Sequence, residues 1–258
     1  MAITLIKALA ILILGLMLWP VTYSVWLSFS PSDFMEPPLR DWSLQWYRQF
    51  FSDPRWVASV YMSAKIAVMS VVFSLFSALT LATYEAEYGL SHLARGFIML
   101  PFLVPPVVLA MGLLPWLHQI GLWGHSLSIS LAHTLMIFPV VFLILRDGLN
   151  HQPKALAQAA RSLGASALQV YGRITLPLLL PWLVVSALVA AVISLNEFII
   201  AQFLAAPELE TLPTIIWPSL RYTLTPVIAS ASTLSLATTL FLLALAAILV
   251  GYSRRSKT

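Results

Sequence analysis

Apolar residues run along this chain in long stretches separated by short polar interruptions. Six stretches reach the roughly 20 mostly apolar residues that a helix needs to cross a hydrocarbon core. They are 3–29, 58–83, 96–117, 127–145, 180–204 and 230–251. The pattern predicts an all-α, polytopic membrane protein with six transmembrane helices and one domain over 1–258. There is no internal repeat, no low-complexity tract and no soluble domain at either end. The first run is longer than a signal-peptide core and no small-residue cleavage site follows it, so it is expected to remain as a span.

Two interruptions have structure of their own. Segment 30–57 carries Trp42, Trp46, Tyr47, Phe50, Phe51 and Trp56. That pattern suits a short amphipathic helix at headgroup depth, where aromatic rings settle, and contact with an external partner protein is compatible with it. Segment 146–177 is too polar to span. Pro153 suits a first helical turn, and Lys154 to Leu163 are helix formers apart from Ser162. Leu156, Ala159, Ala160 and Leu163 fall on one face at helical spacing. Gly164 then offers the left-handed conformation that ends a helix. Ser166 with Gln169 reads as a capping box for a second short helix, beyond whose end Pro177 is expected to lie. The product is two short helices about a sharp glycine turn, with small alanines that let another protein approach closely.

Composition agrees with the pattern: 60% of the 258 residues are hydrophobic and 9% charged, and the mean hydropathy is +0.89. A soluble domain is about 25% charged. The net charge of +4 therefore reflects membrane topology and gives no reason to expect a nucleic-acid partner. With the N-terminus inside, the inner segments hold Lys7, Arg95, Arg146, Lys154, Arg161, Arg173, Arg254, Arg255 and Lys257. The outer ones hold only Arg40, Arg48, Arg55 and Arg221. That bias places both termini and the 146–177 loop in the cytoplasm. The absence of cysteine excludes disulfides, thiolate metal sites and cysteine nucleophiles. No nucleophile–base arrangement stands out, so no catalytic residue is assigned. There is no Gly-Lys dipeptide and hence no phosphate-cradling loop, which puts any ATP chemistry on another polypeptide.

On these residues a resemblance becomes specific. Gln158-Ala159-Ala160, Gly164 and Ile174-x-Leu176-Pro177 resemble, in order and spacing, the EAA loop of permease subunits in ATP-binding-cassette importers. Asp41–Tyr47, Leu100–Pro106, Ser194–Ala201, Thr211–Pro213 and Ser230–Leu234 resemble segments of the spermidine/putrescine-type permeases. The resemblance implies a type I importer permease fold in the bacterial inner membrane. It further implies that the loop is a coupling helix seated on an ATPase through Leu156, Gln158, Ala159, Ala160, Arg161, Leu163, Gly164 and Ala165. The family glutamate is Gln158 here, which keeps shape and loses charge. The implied partners are a second, homologous permease subunit, two ATPase subunits that bind ATP and magnesium, an external solute-binding protein, and membrane lipid. This chain itself is expected to bind no cofactor and no metal.

For the solute, the resemblance implies polyamines or a similar small organic cation, with a phosphonate, opine, ferric iron or thiamine as alternatives. Pro106 and Asn196 stand where many polyamine permeases have acids, which makes the pathway a poorer fit for a polycation. A channel or an intramembrane enzyme is the remote alternative. Charge at membrane depth is costly and usually functional, which singles out Lys65 and Glu197. Each lies about 10 Å below the outer surface at 1.5 Å per residue. Either Lys65 snorkels to the interface or pairs with Glu197 to fix helix packing, or Glu197 lines the translocation pathway with Asn196 and Lys65. Pro101, Pro105 and Pro106 are expected to break the third span, freeing carbonyls that line the translocation pathway at Pro105 and Pro106, or simply to kink it. His118, His125 and His133 lack the spacing of a metal site and are expected to pack.

Overall fold

The computed structural model describes residues 2–38, 41–222 and 225–255. In chain order the helices are α1 (Ala2–Leu27), α2 (Gln45–Ser52), α3 (Pro54–Tyr88), α4 (His92–Leu103), α5 (Pro106–Gln119), α6 (Ser126–Asn150), α7 (Lys154–Ser162) and α8 (Ala167–Val170). A π turn over Tyr171–Thr175 leads into α9 (Leu176–Asn196), and α10 (Ile199–Leu204), α11 (Leu212–Tyr222) and α12 (Val227–Arg255) complete the chain. No named strand occurs among the described residues.

Five helical stretches are long and apolar enough to cross a membrane: Thr4–Leu27, Pro54–Tyr88, Ser126–Asn150, Ala167–Asn196 and Val227–Gly251. The third predicted span, 96–117, falls on α4 and α5, which are bent by 96° between Leu103 and Pro106. Proline chemistry explains the bend. Val104 and Pro105 are both extended, with ψ of 132° and 135°. A residue before proline is pushed out of the helical region, whereas Pro106 starts α5 at the one position where its missing N–H is harmless. Pro101, by contrast, stays inside α4.

The fifth span differs from its expected limits of 180–204. Pro177 does not lie beyond a short helix; α8, the π turn and α9 run on as one 30-residue stretch, Ala167–Asn196. The Leu176 N–H bonds to the Tyr171 carbonyl, five residues back. That wider turn lets Pro177, which has no N–H to donate, enter α9 within its first turn. The far end also falls short of 204. The helix stops at Asn196, Glu197 is extended, and the buried Ile200, Ala201 and Leu204 belong to the separate α10.

The chain divides into two compact units, Met1–Val60 with Leu212–Thr239, and Tyr61–Thr211 with Leu240–Thr258. In the first, the short amphipathic helix expected of the aromatic segment forms as α2 and packs part of its aromatic set against protein. The segment's Trp46, Phe50 and Trp56 are buried in a cluster with Ile215, Val227 and Ala231. Trp46 Nε1 donates to the Ser30 carbonyl at 2.8 Å, as a buried indole requires. Full burial of Phe50 contributes about 2 kcal/mol relative to exposure. Phe34, Trp42 and Phe51 of that segment keep most of their surface outward.

In the second unit, α6 packs on α9 and α4, and α10 packs on α5. Gly148 is the tightest point: a Cβ there would lie 2.5 Å from Trp182 Cγ and 2.9 Å from Leu179 Cδ1. Ser70 Oγ donates to the Ile66 carbonyl and lies 3.2 Å from the Ser130 carbonyl on α6, a side-chain link between apolar helices.

Candidate functional site: the α7–α8 docking surface

Local sequence builds this surface with little freedom left over. Pro153 precedes α7 at its N-cap. At the other end Leu163 is the C-cap and Gly164 has φ +87°, a conformation glycine adopts without a Cβ penalty. Ala165 N–H bonds to the Ala160 carbonyl and Gly164 N–H to that of Arg161, both at 3.0 Å. These are the two hydrogen bonds of a Schellman closure. Ser166 then caps α8 reciprocally with Gln169: the Ser166 N–H reaches Gln169 Oε1 at 2.8 Å, and the Gln169 N–H reaches Ser166 Oγ at 3.3 Å. Behind this pair, Gln152 Nε2 donates to the Thr175 carbonyl at 3.0 Å, which ties the entry of α7 to the π turn.

The surface so held is apolar and open. Leu163 is 89% exposed, Leu168 81% and Leu156 48%. Gln158, Ala159, Arg161 and Gly164 are exposed as well, while Ala160 and Ala165 are half-buried. This helix pair thus turns three large apolar side chains outward. Leu168 is absent from the sequence-predicted set, although it lies within the Ser166–Gln169 capping box that the sequence shows.

On its other side α7 walls a cavity of about 750 Å³ against the end of α3, lined by Glu87, Tyr88, Lys154, Gln158 and Arg161 among others. Across it Arg161 Nη2 lies 3.6 Å from Glu87 Oε1. Arg161 is thus engaged inward, and Gln158 contributes to the cavity wall. Nothing in the linear pattern singles out Glu87 or places it beside α7.

The predicted pathway residues do not converge on one spot. Lys65 is exposed on α3, Pro105 is exposed and Pro106 half-buried at the bend. Asn196 Nδ2 donates to the Val192 carbonyl at 2.8 Å. Glu197 is half-buried, and its Oε1 accepts the Ile200 N–H at 2.9 Å, capping the start of α10. Among the described residues no ion pair joins Glu197 to Lys65. His133 is buried on α6, its Nδ1 2.9 Å from Ser194 Oγ. His125 is the N-cap of α6, and His118 stacks on Trp123. Among the described residues no three His, Cys, Asp or Glu side chains gather as metal ligands.

Comparison with known proteins gives this geometry a context. Residues 70–256 match the family model described as binding-protein-dependent transport system inner membrane component. The chain is 29% identical over 205 residues to the putrescine transport system permease protein PotI of Escherichia coli (strain K12), covering 76% of this chain and 73% of that protein. It is 26% identical over 208 residues to the spermidine/putrescine permease protein PotC of Haemophilus influenzae, covering 80% and 81%. With the molybdenum permease protein ModB of E. coli (strain K12) it shares 33% over 162 residues, covering 57% and 70%. Among solved structures, a chain of a bacterial importer of the polysaccharide alginate superposes with a TM-score of 0.74 at 15% identity, covering 98% of this chain and 95% of that one. A chain of the MetNI methionine transporter superposes with a TM-score of 0.56 at 17% identity, covering 77% and 93%.

Proposed function

The chain belongs to the family of binding-protein-dependent transport system inner membrane components, and from that premise we propose that α7 and α8 are its coupling element, docked on a separate ATPase. The chain is the permease of a type I ATP-driven importer, a multi-pass inner-membrane protein. The observation that carries the docking reading is the exposure of Leu156, Leu163 and Leu168 on a helix pair closed at both turns by its own hydrogen bonds. Such a surface is preorganised, so a partner does not have to order it on binding. The positive-inside bias puts both termini and this loop in the cytoplasm, where ATP and magnesium bound to the ATPase supply the energy.

Half a pathway is formed here. A second permease subunit completes it, two ATPases drive it, and an external binding protein delivers the solute. Closure of the ATPases moves α7, and the Arg161–Glu87 contact passes that motion to α3. The solute is a polyamine or similar small organic cation, supported by the likeness to PotI and PotC. A small anion is the second reading. It is favoured by Glu197 being engaged as a helix cap.

Co-purification tests the docking. The intact chain brings down its ATPase, and a chain lacking 153–166 does not; a stable ATPase complex after that deletion overturns the reading. A thermal-shift screen on the cognate external binding protein decides the solute, with putrescine against oxyanions as the two arms.

A further inference from the structure

A second charged constellation lies apart from the docking surface. Glu85, near the end of α3, is only 7% exposed. Its Oε1 accepts a hydrogen bond from Arg95 Nε of α4 at 2.7 Å, and its Oε2 lies 3.1 Å from Arg146 Nε of α6. The second contact is an ion contact alone, because Oε2 has no hydrogen-bond partner. No side-chain N–H of Arg146 donates a hydrogen bond among the described residues.

One carboxylate between two guanidiniums leaves a positive charge uncompensated. The neighbouring acids do not supply the balance: Glu87 faces Arg161, and Asp147 lies 3.4 Å from His151 on its own helix. Both arginine side chains are about two-thirds covered, at 36% and 34% exposure. Among the described residues, the chain gives the Nη groups of neither arginine a hydrogen-bond acceptor, and at about one-third exposure they stay open to one from outside. Each arginine faces Glu85 through Nε, which leaves its two Nη groups as a planar fork. Two such forks held on one carboxylate suit a tetrahedral oxyanion, which accepts several charge-assisted bonds at once.

The surroundings identify the anion's carrier. The cluster ties the ends of three apolar helices at the end of the molecule that carries α7. Beside Arg95 on α4, Leu93 is 78% exposed and Phe97 70%. Basic side chains at helix ends, flanked by outward apolar ones, meet the bilayer where acyl chains join their headgroups. We propose that Arg95 and Arg146, held in place by Glu85, bind the phosphate of an anionic phospholipid headgroup. The site rests on the membrane reading of the chain and is independent of the ATPase docking.

Native mass spectrometry of the whole importer complex tests this, with phosphatidylglycerol or phosphatidylcholine added. The wild-type complex is expected to take up phosphatidylglycerol at least about tenfold more tightly than phosphatidylcholine. Arg95→Gln and Arg146→Gln are each expected to bring that preference down to about twofold or less. Should these variants not assemble, Arg95→Lys and Arg146→Lys keep the ion contact but lose the fork. A fall of about threefold or more in their preference supports the site. An absent preference in the wild type, or an unchanged one in the variants, overturns it. Displacement of the lipid by millimolar inorganic phosphate assigns the forks to a soluble anion and overturns the lipid source. Loss of a protein subunit from the arginine variants with lipid uptake unchanged makes the cluster a protein contact, and overturns it too.

Discussion

Arg161 of α7 reaches back over the cavity behind the docking surface to Glu87 at the end of α3, Nη2 to Oε1 at 3.6 Å. Both side chains are about half exposed, 58% and 49%, so the contact adds well under 1 kcal/mol to stability. Its position matters more than its strength, since it is a direct ion contact between the helix proposed to meet the ATPase and a membrane-spanning helix. Glu87→Gln is therefore expected to leave assembly and melting temperature nearly unchanged while lowering solute uptake per ATP hydrolysed. Reconstituted vesicles measure that ratio; an unaltered ratio removes Arg161–Glu87 from the coupling route.

Glu197→Gln separates charge from helix capping. Glutamine keeps a side-chain oxygen that can accept the Ile200 N–H, as Glu197 Oε1 does at 2.9 Å. The start of α10 is then preserved, and any functional loss reports on the charge. Uptake is expected to fall about tenfold, the ~1.4 kcal/mol of one charged contact, with the ATPase still bound. Unchanged uptake kinetics in that variant would sink the pathway role of Glu197.

Gly148 sets the distance between α6 and α9. A Cβ at that position meets the Trp182 ring and Leu179 at under 3 Å, and a valine adds two more methyl groups to the same gap. Gly148→Val is expected to cost about 2 kcal/mol by overpacking and to reduce the yield of folded protein in the membrane. Gly96, where nothing lies within 4 Å of an added Cβ, serves as the control. Gly96→Ala should express like the wild type.

What the sequence revealed and what it hid divide by range. The glycine turn at Gly164 and the Ser166–Gln169 capping box depend on residues within a few positions of one another, so both were legible. Six apolar runs were legible for the same reason, as was the proline break of the third. The burial of Trp46 and Phe50 was not, because their partners Ile215, Val227 and Ala231 lie more than 150 residues along the chain. An aromatic stripe facing another helix and one facing headgroups look identical in sequence. Pro177 misled because a proline after a short helix ordinarily ends it, and the π turn that carries it into α9 leaves no residue signature. Arg95 and Arg146 entered only as charges on one side of a membrane, and Glu85 was not singled out at all. Their convergence comes from three helices meeting, which no local pattern records.

The docking of α7 and α8 on an ATPase is tested most directly at Leu163, which is 89% exposed and can be changed without disturbing a core. The chain has no cysteine, so Leu163→Cys supplies a unique thiol for a short maleimide photo-crosslinker in membranes holding the whole importer. The expected result is a single dominant adduct with the ATPase subunit, suppressed when Leu156 or Leu168 is also changed to aspartate. A Leu163→Cys importer that transports normally, takes up the reagent and yields no adduct with the ATPase would contradict the account.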